Sequence, residues 1–197
     1  MEPFQKLDLK IFELINGSAG NIKILDDIII MFASDYFVPV MTGLIFLFHW
    51  IGFSNTELKV CSQRSVLKSI IIMVVANAVV ISLNQIIFRE RPFITNEVNL
   101  LFYMPSDSSF PSNASAGSLS LALGFLDKKW MKTFIIIFIL STLMSISRIY
   151  VGVHYPSDIA GGILVSIISY FIGVHIWKYS SKLQIKSLKY LEYINIA

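Results

Sequence analysis

Cysteine and charged residues are both scarce in this chain. Cys61 is the only cysteine among the 197 residues, which excludes an intrachain disulfide and a cluster of metal-binding thiolates. Only 15% of the residues are charged and 55% are hydrophobic, whereas ordinary soluble domains carry about 25% charged residues. Residues 1–10 also lack the apolar run of a secretory signal, so we expect no cleavable signal peptide. These shortages indicate an integral membrane protein of one domain.

The hydrophobic residues fall into five blocks that are candidates for membrane-spanning helices: residues 37–53, 66–88, 113–126, 133–149 and 159–177. A span needs about 20 residues, so the block 113–126, which is rich in small residues, is short. Of two earlier segments, 4–15 is amphipathic and 22–32 is apolar but short, and the sequence leaves open whether they lie on the membrane or enter it. We predict an all-α integral membrane protein, a bundle of five to six transmembrane helices.

The predicted chain has three parts: an N-terminal amphipathic or short membrane segment (1–34), a transmembrane core (35–178) and a basic tail (179–197). Ten of the 16 basic residues lie in the loop after the first span, in the turn after the third and in the tail: Lys59, Arg64, Lys68, Lys128, Lys129, Lys132, Lys178, Lys182, Lys186 and Lys189. The positive-inside rule makes that side, and the tail, cytoplasmic. Arg89, Arg91 and Arg148 fall on the other side.

The most informative segment is 147–158, where Arg148, His154 and Asp158 lie at the mouth of an apolar helical hairpin. Ionisable groups at a membrane boundary are costly to keep and usually have a function. Asp158 follows His154 by about one helical turn, so its carboxylate can hold one imidazole nitrogen and leave the other free to attack. Arg148 offers fixed positive charge for an anion such as phosphate. The alternative is an interfacial histidine with two solvated charges.

Two more segments meet this one on the same predicted face. Arg91 precedes Pro92, which disfavours helical geometry and so helps to end the second span there; the simpler interpretation is that Arg89 and Arg91 anchor a helix end. Ser112 is a good N-cap for the next helix, whose free N–H groups can bind an anion; the simpler interpretation is close packing of small residues. Together the segments predict a phosphate pocket with an internal nucleophile. No acidic cluster suited to Mg²⁺ accompanies it, so a metal-independent reaction without a cofactor is favoured.

The three segments resemble the type-2 phosphatidic acid phosphatase superfamily, whose signature is Lys-x6-Arg-Pro, then Pro-Ser-Gly-His, then Ser-Arg-x5-His-x3-Asp. The third motif matches in full, from Ser147 to Asp158, and the resemblance covers roughly residues 25–177. The small size and the Arg-Pro-Phe, Phe-Pro-Ser-Asn and Val-Gly-Val-His-Tyr-Pro segments are most like the bacitracin-resistance type of undecaprenyl pyrophosphate phosphatase.

The resemblance implies that His154 is a nucleophile that forms a phosphohistidine and that Asp158 orients it. It implies that the phosphoryl oxygens are held by Arg91, Arg148, Ser112 and the backbone N–H groups around Asn113. The implied substrate is a polyprenyl or phospholipid phosphate, hydrolysed on the extracytoplasmic face of a bacterial inner membrane. No metal, nucleic acid or obligate protein partner is expected.

Two positions depart from the family pattern. Asn84 stands where the first motif has lysine; it can donate a hydrogen bond but brings no charge, which nearby Arg89 can supply. Ala114 stands where the second motif has the histidine that, in the family, protonates the leaving oxygen and then activates water. Because alanine transfers no proton, we predict an impaired chain. We favour a deliberate substitution; the alternatives are a natural pseudoenzyme, or an enzyme that uses Ser115 or Asp107 instead.

Four functions follow as hypotheses. The favoured one is hydrolysis of undecaprenyl diphosphate, which recycles the carrier lipid and confers bacitracin resistance; a diphosphate leaving group needs less protonation than an alkoxide, so some turnover survives at Ala114. The second is hydrolysis of phosphatidylglycerol phosphate or phosphatidic acid. The third is a non-catalytic lipid-phosphate binding or transport protein. The last, a purely structural bundle, predicts that His154→Ala changes nothing.

Overall fold

A computed structural model describes residues 3–180, and every regular element in that range is helical. The helices are α1 (Pro3–Asn16), α2 (Lys23–Ala33), α3 (Phe37–Ile51), α4 (Thr56–Ile86), α5 (Pro92–Thr95), α6 (Asn113–Leu123), a short 3₁₀ helix (Lys128–Trp130), α7 (Met131–Tyr150) and α8 (Pro156–Tyr179). The predicted all-α class is therefore confirmed. Most of the predicted basic tail, residues 181–197, lies outside the described residues.

Three helical stretches within residues 3–180 are long and apolar enough to cross a membrane: Thr56–Ile86, Lys128–Tyr150 and Pro156–Tyr179. A fourth candidate is the pair α2 and α3, which is bent by 57° at a short break. The block 113–126, expected as a short span, contains the 11-residue helix α6. At about 1.5 Å per residue, α6 is roughly 16 Å long and covers only about half of the hydrocarbon core.

Helix α6 packs among α4, α7 and α8 through small residues. A Cβ atom added to Gly162 of α8 would lie 2.7 Å from the carbonyl oxygen of Ser112, and one added to Gly124 would lie 2.4 Å from the Cα of Ser69. Such contacts let helix backbones approach closely inside a membrane bundle. As a result the N-termini of α6 and α8 touch, with the backbone N–H of Ser112 donating to the carbonyl oxygen of Asp158 at 3.0 Å.

Helix α4 ends earlier than the sequence predicts. The helix was expected to end near Arg91, but it ends at Ile86, and Ile87 is extended. The following strand-like segment is held by the loop before α6, because Arg89 N–H donates to Ser108 Oγ at 3.1 Å and Ser109 N–H donates to the carbonyl oxygen of Arg89 at 2.9 Å. Arg91 instead becomes the N-cap of α5.

The N-terminal segment is attached to the bundle by buried polar contacts. The Asn16 amide donates to the carbonyl oxygens of Asn99 and Tyr150, at 2.9 and 2.7 Å. The Tyr150 hydroxyl in turn donates to the Asp26 carboxylate at 2.7 Å. Both α1 and α2 therefore lie against the end of the bundle where α7 stops and α8 begins.

Candidate active site

His154 lies in the tight connection between α7 and α8, and only 4% of the residue is exposed. Its Nδ1 atom lies 3.5 Å from Oδ2 of Asp158. Asp158 sits in the first turn of α8, where the same carboxylate oxygen accepts the backbone N–H of Tyr155 at 2.8 Å and so caps the helix. Since Nδ1 faces the carboxylate, the Nε2 atom is left for chemistry.

The Asp158 carboxylate is completely buried and is held by side chains from two other segments. The Ser109 hydroxyl donates to its Oδ2. The Arg89 guanidinium donates to Oδ1 at 2.6 Å and also pairs with Asp8 of α1 at 2.7 Å. This network fixes the carboxylate, and through it the imidazole, before any ligand binds. Asp8 and Ser109 were not expected at the site, and Arg89 supports Asp158 instead of facing the cavity described below.

Arg91 lies against the reactive nitrogen of His154. Its Nη1 atom is 3.3 Å from His154 Nε2 and donates to the carbonyl oxygen of Val153 at 2.9 Å. Its Nη2 atom donates to the Asp107 carboxylate at 2.8 Å, and its Nε to the Asp107 carbonyl oxygen at 3.1 Å. The guanidinium is therefore held where a phosphoryl group attacked by Nε2 would place its oxygens.

Arg148 is the second buried cation of the site. One of its Nη atoms pairs with the Asp35 carboxylate, which also accepts the Tyr103 hydroxyl at 2.6 Å. Its guanidinium carbon lies 4.8 Å from the centre of the Phe102 ring. The Nε atom is buried and has no hydrogen-bond partner in the part of the chain that the structure describes. A buried charged donor without an acceptor is costly, and an incoming phosphate oxygen would supply that acceptor.

These groups surround one cavity of about 320 Å³. Its polar wall contains Asp35, Asn77, Arg91, Tyr103, Asp107, Asn113, Arg148 and His154, and its apolar wall contains Val38, Pro39, Met73, Ala114, Leu121 and Met144. Five of the eight positions predicted from sequence thus meet in or on this cavity (Arg91, Asn113, Ala114, Arg148 and His154), with Asp158 directly behind them. The wall combines fixed positive charge with apolar surface, which suits the head and the first carbons of a lipid phosphate.

Ser112 and Asn84, the other two predicted positions, do not line the cavity. Ser112 is the N-cap of α6, where its hydroxyl oxygen accepts the backbone N–H of Ser115 at 3.4 Å. The Asn84 carbonyl oxygen is buried without a partner among residues 3–180. Asn77, two turns earlier on the same face of α4, contributes to the cavity wall instead. The sequence signal for Asn77 was its position seven residues before Asn84, on the same face of an apolar helix.

The chain has no second histidine near the cavity. His49 lies in a different part of the bundle, where its ring nitrogens contact the hydroxyls of Ser62 and Thr133 at 2.6 and 2.9 Å. His175 is exposed, about 28 Å along α8 from its first residue. Ser115, considered as a substitute for the missing histidine, is fully buried and bonded to Ser112.

The protonation state of His154 follows from its surroundings. Burial lowers the pKa of the imidazole below its ordinary value; the hydrogen bond to Asp158 opposes this, and the nearby charge of Arg91 lowers it again. The net effect keeps the ring neutral at pH 7, as a nucleophile requires. Among residues 3–180 no group of three or more His, Cys, Asp or Glu side chains is placed to hold a metal ion.

Comparison with known proteins finds relatives along most of this chain. Residues 65–182 match the PAP2 superfamily. The undecaprenyl-diphosphatase BcrC of Bacillus subtilis (strain 168) is 31% identical over 166 residues, which covers 84% of this chain and 82% of that protein. The putative undecaprenyl-diphosphatase YbjG of Escherichia coli (strain K12) is 27% identical over 175 residues, covering 88% and 84% of the two chains.

A solved structure is similar along the same length. The crystal structure of Aquifex aeolicus LpxE superposes with a TM-score of 0.67 at 30% identity, covering 86% of this chain and 95% of that one. The family resemblance deduced from three short segments is therefore confirmed over most of the chain. This chain belongs to the PAP2 superfamily, as a membrane phosphatase.

Proposed function

We propose that this protein hydrolyses undecaprenyl diphosphate to undecaprenyl phosphate and inorganic phosphate through a phosphohistidine on His154. The observation that carries the proposal is the distance of 3.3 Å between the Arg91 guanidinium and His154 Nε2, inside a cavity that also holds Arg148, whose Nε has no hydrogen-bond partner among the described residues. A buried nucleophile that contacts one fixed cation and shares a cavity with a second is an arrangement suited to phosphoryl transfer.

The first chemical step uses the geometry directly. The Nε2 lone pair of His154 attacks the terminal phosphorus, and the bond from phosphorus to the bridging oxygen breaks, leaving undecaprenyl phosphate with that electron pair. Positive charge develops on the imidazole, and the buried Asp158 carboxylate stabilises it at Nδ1. Arg91 and Arg148 neutralise the phosphoryl oxygens in the transition state. Water then attacks the phosphohistidine and releases phosphate.

Ala114 supports a diphosphate as the substrate. A monoester such as phosphatidic acid leaves as an alkoxide, which needs a proton from a general acid, whereas a diphosphate leaves as a stable phosphate anion. The position beside Asn113 on the cavity wall carries only a methyl group, and it cannot donate that proton. The names of BcrC and YbjG point to the same substrate class.

The cellular setting is part of the proposal. The site lies at the end of the bundle away from the basic residues at 59–68, near the start of α4, and at 128–132, before and at the start of α7, which the positive-inside rule assigns to the cytoplasm. We infer an active site on the extracytoplasmic face of a bacterial inner membrane. Hydrolysis there would return the carrier lipid for cell-wall synthesis and lower the diphosphate that bacitracin captures.

A substrate panel tests this assignment. We expect purified protein in detergent, without added metal, to release phosphate from undecaprenyl diphosphate about 10²-fold faster than from phosphatidylglycerol phosphate or phosphatidic acid, because a missing general acid typically costs at least that factor. Faster release from a monoester would overturn the substrate. Tight binding without turnover, in this chain and in Ala114→His, would indicate a binding or transport protein.

The reaction should also become slower at acidic pH. Only neutral His154 attacks, and burial lowers its pKa below the usual value of about 6.5. The value of kcat/KM should therefore be flat near neutrality and fall only as the pH drops through that lowered pKa. The measurement is a pH–rate profile for undecaprenyl diphosphate, with the ionisation of the lipid titrated separately as a control. A midpoint above pH 7 would contradict a depressed histidine pKa.

A further inference from the structure

The Asp35 carboxylate lines the cavity, although residue 35 precedes the segment 65–182 that matches the family. It lies in the break between α2 and α3, where the helix pair bends by 57°. One of its oxygens pairs with Arg148, and the other accepts the Tyr103 hydroxyl at 2.6 Å. Its side chain is 43% exposed, and it lines the same cavity as His154.

Hydrolysis of a phosphohistidine needs a group that accepts the proton of the attacking water. His154 carries the phosphoryl group at that stage, and Arg91 and Arg148 are permanently protonated. Tyr103 is unsuitable because the hydrogen bond to Asp35, together with burial, raises the pKa of its phenol, which therefore stays a donor. Among the cavity-lining residues this leaves two acceptors with a basic oxygen, the carboxylates of Asp35 and Asp107.

The carboxylates of Asp35 and Asp107 differ in the residues that they contact. Asp107 binds Nη2 of Arg91, whose Nη1 lies against His154 Nε2, so Asp107 is bonded to the guanidinium that contacts the nucleophile. The attacking and leaving atoms of phosphoryl transfer are roughly in line, which puts the water on the side away from Nε2. Asp35 has its contacts on Arg148 and Tyr103.

We propose that Asp35 is the general base for the second step, an inference that rests on the phosphohistidine reaction proposed above. The water oxygen forms a bond to phosphorus while its proton passes to the Asp35 carboxylate. The P–N bond breaks, and its electron pair returns to His154 Nε2. Inorganic phosphate leaves, and Asp35 loses its proton to solvent. Binding of the phosphoryl oxygens to Arg148 would release the Asp35 oxygen that the guanidinium holds.

The test follows phosphate from undecaprenyl diphosphate labelled at its terminal phosphorus, by rapid quench. In Asp35→Asn we expect labelled His154 to accumulate and phosphate release to fall about 10²-fold, the range for loss of a general base. Asp107→Asn is the matched control, since it neutralises the other cavity carboxylate; it should not accumulate labelled histidine. Accumulation in Asp107→Asn but not in Asp35→Asn would overturn the assignment.

A double variant separates proton transfer from support of Arg148. In Asp35→Asn with Ala114→His, the new imidazole can accept the proton, so decay of labelled His154 should recover at least tenfold. Decay as slow as in Asp35→Asn would show that Asp35 only positions Arg148. If the unsubstituted chain and Asp35→Asn form labelled His154 and release phosphate at the same rate, the inference fails and the proposed function stands. If neither forms the label, the proposed function itself fails.

Discussion

Replacing His154 with glutamine should abolish phosphate release, with a loss on the order of 10⁴-fold or more, as for other enzymes that lose their nucleophile. The expected loss of rate is large because no other histidine of the chain can replace His154. His49 is hydrogen-bonded in a different part of the bundle, and His175 is exposed far along α8. Substrate binding should change much less, because Arg91 and Arg148 remain. The measurement is single-turnover phosphate release beside the dissociation constant of the lipid.

His175→Gln is the matched control for this experiment. It makes the same substitution on α8 at an exposed site that contacts the Tyr179 ring and no part of the cavity. It should leave both phosphate release and phosphohistidine formation as they are. Residual turnover of one tenth or more in His154→Gln would mean that water attacks the substrate directly, and the covalent mechanism would then be wrong.

Replacing Ala114 with histidine should raise kcat for undecaprenyl diphosphate by about 10²-fold, the lower end of the range for general acid–base catalysis. The gain is modest because the diphosphate leaving group needs little protonation and Asp35 already serves the second step. For a phosphate monoester, whose alkoxide must be protonated, the gain should be larger. Phosphate-release kinetics with both substrates measure the difference.

Ala114→Gln is the control that separates chemistry from packing. Glutamine fills similar space in the half-buried first turn of α6 but transfers no proton. If it accelerates the reaction as much as histidine does, the effect comes from the shape of the cavity. If neither substitution increases the rate, position 114 has no proton-transfer role in this chain.

Sequence patterns predicted those parts of the site whose residues lie close together along the chain. His154 and Asp158 are one helical turn apart, and Ser112 is followed by the residues of its own helix, so spacing and capping rules apply to them. The pairs Arg148–Asp35 and Arg89–Asp8 join residues 113 and 81 positions apart. A single carboxylate in a turn or a short helix has no periodic signal, and only the packed structure brings it to its partner.

The same limit applies to the fold. Long apolar runs predicted α4, α7 and α8, because composition and length decide which segments can cross a membrane. The pair α2 and α3 bends by 57° beside residues of α2 that pack against the end of α7, and hydropathy encodes neither the bend nor this packing. Likewise, composition alone did not show that α6 would stop after 11 residues inside the bundle.

Because Asp8 pairs with Arg89, the residues that hold the active site extend beyond the segment that matches the family. The segment shared with the PAP2 superfamily begins at residue 65, yet the guanidinium that steadies Asp158 is itself held by a carboxylate from the first helix. That carboxylate also accepts the backbone N–H of Ser157 at the start of α8, at 2.9 Å. A fragment or chimaera that kept only the family segment would therefore retain His154, Asp158 and Arg89 but lose the Asp8 carboxylate that holds Arg89, so we expect a transferable phosphatase to need α1.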